Sequence, residues 1–247
     1  MPPSGRVALF VTCLVDTLRP RVGFAAAKLL EDAGYEVVVP AQACCGQPNY
    51  NSGDAAGARE VARATIRAFA GFAHVVAPSG SCAAMVRCHY PKLFAGGSED
   101  LRAAEALAAR THELTSFLHR FAPEAPRQKA FAVSATFHDA CSGLRELGIK
   151  KEPRALLARV GGLSLKEMRD PEACCGFGGA FCVKYPAISS RIAEEKVAQI
   201  EATGAQAVIT GDVGCLLNIE GKMHRCGKKV RALHVAEVLA GMCEDTP

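Results

Sequence analysis

The sequence predicts an α/β protein of two pseudo-repeated halves, each a parallel sheet with cysteine loops at the C-terminal ends of its strands. Two adjacent cysteines followed by glycine occur twice, in "ACCGQP" (residues 43–48) and in "ACCGFGG" (residues 173–179). Apolar strand patterns alternate with helical patterns around both triplets, as in parallel sheets. A segment with two prolines, residues 122–129, marks a linker between the halves. We therefore predict a first domain over residues 1–121, including a connecting helix, and a second over residues 130–247.

Apolar patterning gives the elements of the first half. One helix face ends at Gly34, and glycine is favoured there because it adopts the left-handed conformation that closes many helices. The last strand of this half runs into a Gly and Ser loop that presents Cys82. In chain order the predicted elements are a strand over residues 7–11, a helix over 22–33, a strand over 36–39, a helix over 61–69 and a strand within "HVVAPSGSC".

The second half repeats this order after an amphipathic helix predicted over residues 101–121. Its predicted elements are a strand over residues 131–137, a helix around 156–160, a short strand over 163–165, a helix over 186–203 and a strand over 207–210. Each half is thus expected to fold on the same plan.

Eight of the twelve cysteines form the repeated set. One cysteine precedes the paired cysteines by 31 residues in the first half and by 33 in the second. Another follows the pair by 37 residues in the first half and by 40 in the second. Such repetition is a signal at the level of the fold. The eight are Cys13, Cys44, Cys45 and Cys82, and then Cys141, Cys174, Cys175 and Cys215.

Composition and charge argue against several classes of function. The 247 residues are 49% hydrophobic and 22% charged, which is ordinary for a globular protein. A net charge of +4, with lysine and arginine spread along the chain, gives little support to nucleic-acid or anionic-membrane binding. The apolar run over residues 7–15 is too short to span a bilayer. We expect a cytoplasmic protein, in which cysteines serve metal ligation or thiol chemistry rather than structural disulfides.

The predicted position of the eight cysteines suggests what they hold. Loops that leave the carboxyl ends of parallel strands gather at one edge of a sheet, so each set of four can converge. Four crowded thiolates require a cation or oxidation. A disulfide between Cys44 and Cys45 would leave Cys13 and Cys82 unexplained. Structural zinc remains possible, but it usually uses short C-x2-4-C hairpins, which are missing here. Iron–sulfur ligation tolerates long spacings and is favoured.

Several neighbouring residues have weaker signals. Gly46 and Gly176 allow a sharp turn beside an inorganic core and can direct N–H groups at sulfur. His138, three residues before a cysteine of the set, is either a loop histidine or a hydrogen-bond partner or ligand. Asp139 and Asp212 are explained by turn formation. The four cysteines without counterparts in the repeat are expected to be incidental thiols: Cys88, Cys182, Cys226 and Cys243.

Several motifs together resemble the lactate-utilization protein A family, which consists of two-repeat members of the CCG cysteine-rich group. The motifs are "LFVTCLVD", "CCGQPNYNSG", "PSGSCAAM", "CCGFGG", "GCLLNIEG" and "HVAEVL", and they extend over essentially the whole chain. The group also includes the B subunit of heterodisulfide reductase and the iron–sulfur subunit of glycolate oxidase. The resemblance implies a cytoplasmic subunit of a complex that oxidises L-lactate to pyruvate. It also implies a ferredoxin-like partner subunit and a third small subunit.

The resemblance implies that the eight repeated cysteines are the cluster ligands, four in each half. Heterodisulfide reductase B ends each motif in C-x-x-C and so supplies a fifth thiolate for an unusual cluster. Here the matching positions are Met85 and Asn218. Four ligands remain at each site, which suffices for one 4Fe–4S cluster per repeat, with zinc as the alternative at one site.

The function that follows is an iron–sulfur subunit of a 2-hydroxy-acid-oxidising complex. The chain lacks the C-x2-C-x2-C-x3-C-P run of ferredoxins, so electrons would pass through another protein. One alternative is a thiol and disulfide redox subunit like heterodisulfide reductase, although the missing fifth cysteines disfavour it. The other is a zinc-stapled binding module without redox activity.

Overall fold

The computed structural model describes residues 5–123 and 130–243, and it confirms the predicted α/β class with two parallel sheets. Each sheet has four strands, in the order β2-β1-β3-β4 and β6-β5-β7-β8. The same strand order in both sheets is the structural form of the sequence repeat. The strands are β1 Arg6–Leu9, β2 Glu36–Val38, β3 Val75–Ala77, β4 Thr111–Glu113, β5 Ser134–His138, β6 Ser164–Leu165, β7 Ala207–Thr210 and β8 Arg231–His234.

Helices connect the parallel strands. In the first half they are α1 Cys13–Leu18, α2 Pro20–Asp32, α3 Gln47–Asn51, α4 Ala55–Ala68, α5 Gly80–Ala84, α6 Glu99–Arg110 and α7 Leu114–Phe121. In the second half they are α8 Cys141–Leu147, α9 Lys151–Leu157, α10 Phe181–Lys184, α11 Pro186–Ala202, α12 Val213–Arg225 and α13 Val235–Ala240. A π-helical turn, Met85–His89, follows α5 directly and leads into a 3-10 helix, Tyr90–Leu93.

The single helix predicted over residues 101–121 is wrong, because strand β4 interrupts it. All three residues of β4 are buried, and the strand pairs with β3 at the edge of the first sheet. Glu113 then caps α7, its carboxylate accepting a hydrogen bond from the Ser116 N–H at 3.0 Å. Six residues of the predicted linker, 124–129, lie outside the described residues. The domain limits at residues 121 and 130 stay a prediction.

The two halves pack on each other reciprocally. Helix α2 of the first half packs against α13 of the second, and α9 of the second packs against α7 of the first. One hydrophobic core extends across this contact and includes Leu30, Phe117, Leu157 and Val238. Such an exchange of equivalent surfaces is what a pseudo-twofold relation between repeats produces. It holds the carboxyl edges of the two sheets in fixed relative positions.

Candidate metal centres

All eight repeated cysteines lie just beyond the carboxyl ends of strands. Cys13 and Cys141 begin helices α1 and α8, which follow β1 and β5. Cys82 lies in α5 after β3, and Cys215 lies in α12 after β7. The two vicinal pairs follow β2 and β6. Since the strands are parallel, these positions share one edge in each sheet, as the sequence predicts.

In the first half the four sulfurs form a connected set. The Sγ atoms of Cys13 and Cys44 are 3.6 Å apart. Cys45 in turn lies close enough to Cys44 and Cys82 for their thiols to raise its pKa. The Gly46 N–H points at the Cys44 sulfur, 3.4 Å away. Cys45 and Cys82 are buried, whereas the other two cysteines are partly accessible.

The second half repeats the arrangement with small differences. The thiols of Cys141, Cys174, Cys175 and Cys215 lie close enough in sequence order to shift the pKa of their neighbours, Cys141 and Cys175 acting on Cys174, and Cys174 and Cys215 acting on Cys175. The Gly176 N–H approaches the Cys174 sulfur at 3.2 Å. Cys175 and Cys215 are buried, while Cys174 is exposed. The structure therefore brings together both sets of four cysteines that the sequence singles out.

Within each set, close contact between the thiols lowers the pKa of one cysteine and raises the pKa of its neighbours. Hydrogen bonds from Cys13 and then Cys45 lower the pKa of Cys44 to about 2. Hydrogen bonds from Cys141 and then Cys175 lower the pKa of Cys174 to about 2. Donating to Cys44 raises the pKa of Cys13 above its ordinary value, and burial adds to this. Each set therefore favours one thiolate among protonated neighbours, and full ionisation requires a bound cation.

The glycine after each vicinal pair is required by backbone geometry. Gly46 and Gly176 have φ values of +80° and +86°, in the left-handed region. At Gly176 an added Cβ would lie 2.6 Å from the Ser189 carbonyl oxygen. The expected turn and the N–H groups aimed at sulfur are therefore both present.

His138 lies at the end of strand β5, one residue beyond the predicted strand and not in a loop. A ring nitrogen of His138 and the sulfurs of Cys175 and Cys215 all lie within 4.8 Å of one another. Burial lowers the pKa of His138 to about 3, so the ring is neutral. The only signal in the sequence that places His138 near the cysteine set is its position three residues before Cys141.

A cavity of about 300 Å³ opens beside the second cysteine set, between the two halves. All four cysteines of that set line it, as do Tyr50 and His89 of the first half. His89 Nε2 is 2.5 Å from Glu146 Oε2, so this pair bridges the halves. Sequence reasoning missed the pair because its members are 57 residues apart and belong to no common motif.

Met85 and Asn218, which match the fifth cysteine of the wider group, make other contacts. Met85 is fully buried and lines the same cavity. The Asn218 side-chain N–H donates to the Cys175 carbonyl at 2.8 Å and so supports the loop. Met85 is thus part of the cavity wall, and Asn218 holds the backbone of the cysteine loop.

Of the four cysteines outside the repeat, two have local partners, one is exposed and one is a partly buried thiol. Cys88 contacts the Glu146 carbonyl oxygen at 3.8 Å, and Cys182 contacts the Gly179 carbonyl at 3.2 Å. Cys226 is exposed. Burial raises the pKa of Cys243 to about 12, which keeps this thiol protonated.

The family described as CCG, cysteine-rich domain, matches residues 7–87 and again residues 135–220. Lactate utilization protein A 2 of Bacillus cereus (strain AH820) is 45% identical over 236 residues, 95% of this chain and 98% of that protein. Lactate utilization protein A of Geobacillus kaustophilus (strain HTA426) is 46% identical over 235 residues, with the same shares covered.

Among solved structures, a hypothetical protein from Helicobacter pylori has the same fold. The superposition has a TM-score of 0.67 at 12% identity and covers 99% of this chain and 51% of that one. Within residues 5–123 and 130–243, no helix combines the length and apolarity that crossing a membrane requires.

Proposed function

Because the chain belongs to the lactate-utilization protein A family and contains two CCG cysteine-rich domains, we propose that it is an iron–sulfur oxidoreductase subunit. It acts in a complex that oxidises L-lactate, or a related 2-hydroxy acid, to the 2-oxo acid. Its part is to pass electrons through clusters held by cysteine. The observation that carries this proposal is the convergence of four cysteines at the carboxyl edge of each sheet.

We assign one 4Fe–4S cluster to each half, with zinc at one site as the alternative. The cysteine ligands are Cys13, Cys44, Cys45 and Cys82 in the first half, and Cys141, Cys174, Cys175 and Cys215 in the second. The donor sets fit such clusters, because each offers four sulfurs from three separate loops and a backbone N–H directed at one sulfur. The long spacings between the cysteine loops suit iron–sulfur ligation better than structural zinc, which usually binds to short hairpins.

When bound, such clusters supply one-electron acceptors. The surrounding residues must bind the small acid and manage its protons. The cavity beside the second set is the route by which a 2-hydroxy acid approaches, since it lies between the halves and reaches all four cysteines. Gln47 and Asn51 line it and offer amide N–H donors to a carboxylate. Oxidation to the 2-oxo acid releases two electrons and two protons: the electrons would pass one at a time to the clusters, the pair of His89 and Glu146 can take the hydroxyl proton, and the hydrogen on C2 would leave as a proton to solvent in the open cavity.

Electrons would leave through another protein, because the chain has no ferredoxin-type cysteine run. We therefore propose a ferredoxin-like iron–sulfur subunit and a third small subunit as partners in the cytoplasm. The names of the relatives support the lactate-utilization setting but do not identify these subunits.

The test is anaerobic purification followed by iron, sulfide and zinc analysis. We expect iron and acid-labile sulfide, with a broad visible absorbance that bleaches on addition of dithionite. Replacing Cys45 or Cys175 by serine should each remove about half of the iron, because the two sets are separate. The control is Cys226→Ser, which should keep full iron content, since Cys226 is exposed and outside the repeat.

Lactate-dependent reduction of the clusters in the copurified complex tests the substrate. Stoichiometric zinc without iron after anaerobic reconstitution would contradict the redox function. It would favour the zinc-stapled binding module instead. Full iron content with no reduction by any 2-hydroxy acid would contradict the substrate assignment alone.

A further inference from the structure

The second cysteine set has a buried histidine that the first set lacks. His138 is 1% exposed, and neither ring nitrogen has a hydrogen-bond partner of normal geometry. Buried polar groups in folded proteins nearly always have partners, because leaving one unpaired costs the full penalty of its desolvation. The Pro171 backbone acts on the ring without forming a hydrogen bond of normal geometry, so an imidazole at this depth indicates a further partner of another kind.

The surroundings of His138 supply that partner. One of its ring nitrogens lies with the sulfurs of Cys175 and Cys215 in a group whose donor atoms are all within 4.8 Å of one another. Among the described residues this is the one group of three metal-ligating side chains that is so compact. Neutral imidazole nitrogen and thiolate sulfur are a common pair of ligands for zinc, and histidine also replaces cysteine in some iron–sulfur centres.

The first half has phenylalanine at the equivalent position. Phe10 and His138 each precede the first cysteine of their set by three residues. The Phe10 ring packs on Phe69, with the ring centroids 5.1 Å apart, and is fully buried in apolar surroundings. The repeat therefore preserves the position in the fold, while the side chain there changes from an apolar ring to an imidazole.

We infer that His138 is a ligand of the metal or cluster at the second site, so that the two sites have different donor sets. The first site then offers four sulfurs, and the second offers four sulfurs and one imidazole nitrogen. This inference rests on the proposed function, since it requires that the second site hold a metal. Because a 4Fe–4S cluster takes four protein ligands, bound imidazole would take the place of one of the four thiolates, which removes negative charge from the cluster and raises its reduction potential. The second cluster is therefore the better electron acceptor of the two.

The test uses the full-length protein reconstituted anaerobically with iron and sulfide and labelled with ¹⁵N-histidine. After reduction with dithionite, pulsed paramagnetic resonance should show the strong coupling of a nitrogen bound directly to the cluster, at the ¹⁵N frequency. His138→Phe copies the residue of the first half and should abolish this coupling, while all eight cysteines remain. The midpoint potential of one cluster, and only one, should fall. His74→Phe is the matched control, since His74 packs against Phe117 and Phe121.

The outcomes separate this inference from the proposed function. Iron-loaded protein without strong histidine coupling, or with only the weak coupling of a hydrogen bond to sulfur, would overturn the inference and leave the function intact. Failure to bind iron would overturn the function. In that case Co²⁺ is loaded into a Cys44→Ser, Cys45→Ser background, which disables the first site. A ligand-field spectrum that shifts on His138→Phe supports ligation, and an unchanged spectrum overturns it.

Discussion

Asp212 of the second half accepts two hydrogen bonds from Ser81 of the first, one from the backbone N–H at 2.9 Å and one from the hydroxyl at 2.7 Å. The same carboxylate caps helix α12, since its other oxygen accepts from the Gly214 N–H at 3.0 Å. Ser79 caps α5 in the same way and also donates to Asp212. The helices that carry Cys82 and Cys215 are thus tied together at their N-termini.

Replacing Asp212 by alanine should therefore weaken both halves. The residue is 4% exposed, and its loss leaves the N–H of Ser81 and the N–H of Gly214 without their acceptor. We expect the free energy of unfolding to fall by about 3 kcal/mol in urea unfolding, because hydrogen bonds to a buried carboxylate are strong. The control Asp54→Ala removes an exposed cap of α4 and should cost about 1 kcal/mol. Equal losses in the two variants would contradict a role between the halves.

Gly176 offers a second prediction, on the geometry of the cysteine loop. Alanine there meets both an unfavourable φ of +86° and a carbonyl oxygen 2.6 Å from its Cβ. Gly204 is the matched control, since its φ is +61° and nothing lies within 4 Å of an added Cβ. We expect Gly204→Ala to cost about 1 to 2 kcal/mol from φ alone. Gly176→Ala should cost clearly more and should lower the iron content of the second site, measured as iron per chain.

Much of this site could be predicted because its signals are local. The two Cys-Cys-Gly motifs identify the repeated cysteines. The predicted strands then place these cysteines at one edge of each sheet. Strand β4 was missed because Thr111–Glu113 is only three residues long and lies within an apolar helical pattern. Of the alternatives for His138, the loop position was wrong, because strand β5 was predicted to end at Phe137, one residue too early.

Contacts between the halves could not be predicted, since no local pattern encodes them. Asp212 and Ser81 are 131 residues apart, and His89 and Glu146 are 57 apart. The interpretation of Asp212 as a turn residue beside a cysteine was correct but incomplete. Its second function depends on how the two sheets are packed, which follows from tertiary structure and not from periodicity.

The pH dependence of stability should reflect a histidine pair of which His112 is buried and His74 is half-buried. His112 Nε2 and His74 Nδ1 are 3.2 Å apart, beside the Phe117 and Phe121 rings. Burial, and then the charge of His74, lowers the pKa of His112 to about 4. A depressed pKa contributes stability that is present above the unfolded value of about 6.5 and is lost as the pH falls toward 4.

The measurement compares thermal unfolding between pH 5.5 and 8, with iron content checked at each pH. We expect His112→Gln to flatten the loss of stability on acidification, because the glutamine has no proton to take up. His119→Gln removes an exposed histidine from α7 and serves as the control. A wild-type pH dependence in the His112 variant would exclude this pair as its origin.

The pair of His89 and Glu146 should matter for turnover and not for cluster assembly. His89 packs against Tyr50, with the ring centroids 4.7 Å apart and the ring planes tilted by 45°, and lies on the π-helical turn, a distortion common at functional sites. We expect His89→Gln and Glu146→Gln to lower lactate-dependent reduction by about 100-fold, the range for a lost proton acceptor. Iron content and reduction by dithionite should stay at wild-type values, because neither side chain belongs to a cysteine set. Glu172→Gln breaks a comparable but exposed pair with Lys150 and should change nothing. Wild-type rates in both cavity variants would mean that the substrate proton leaves by another route.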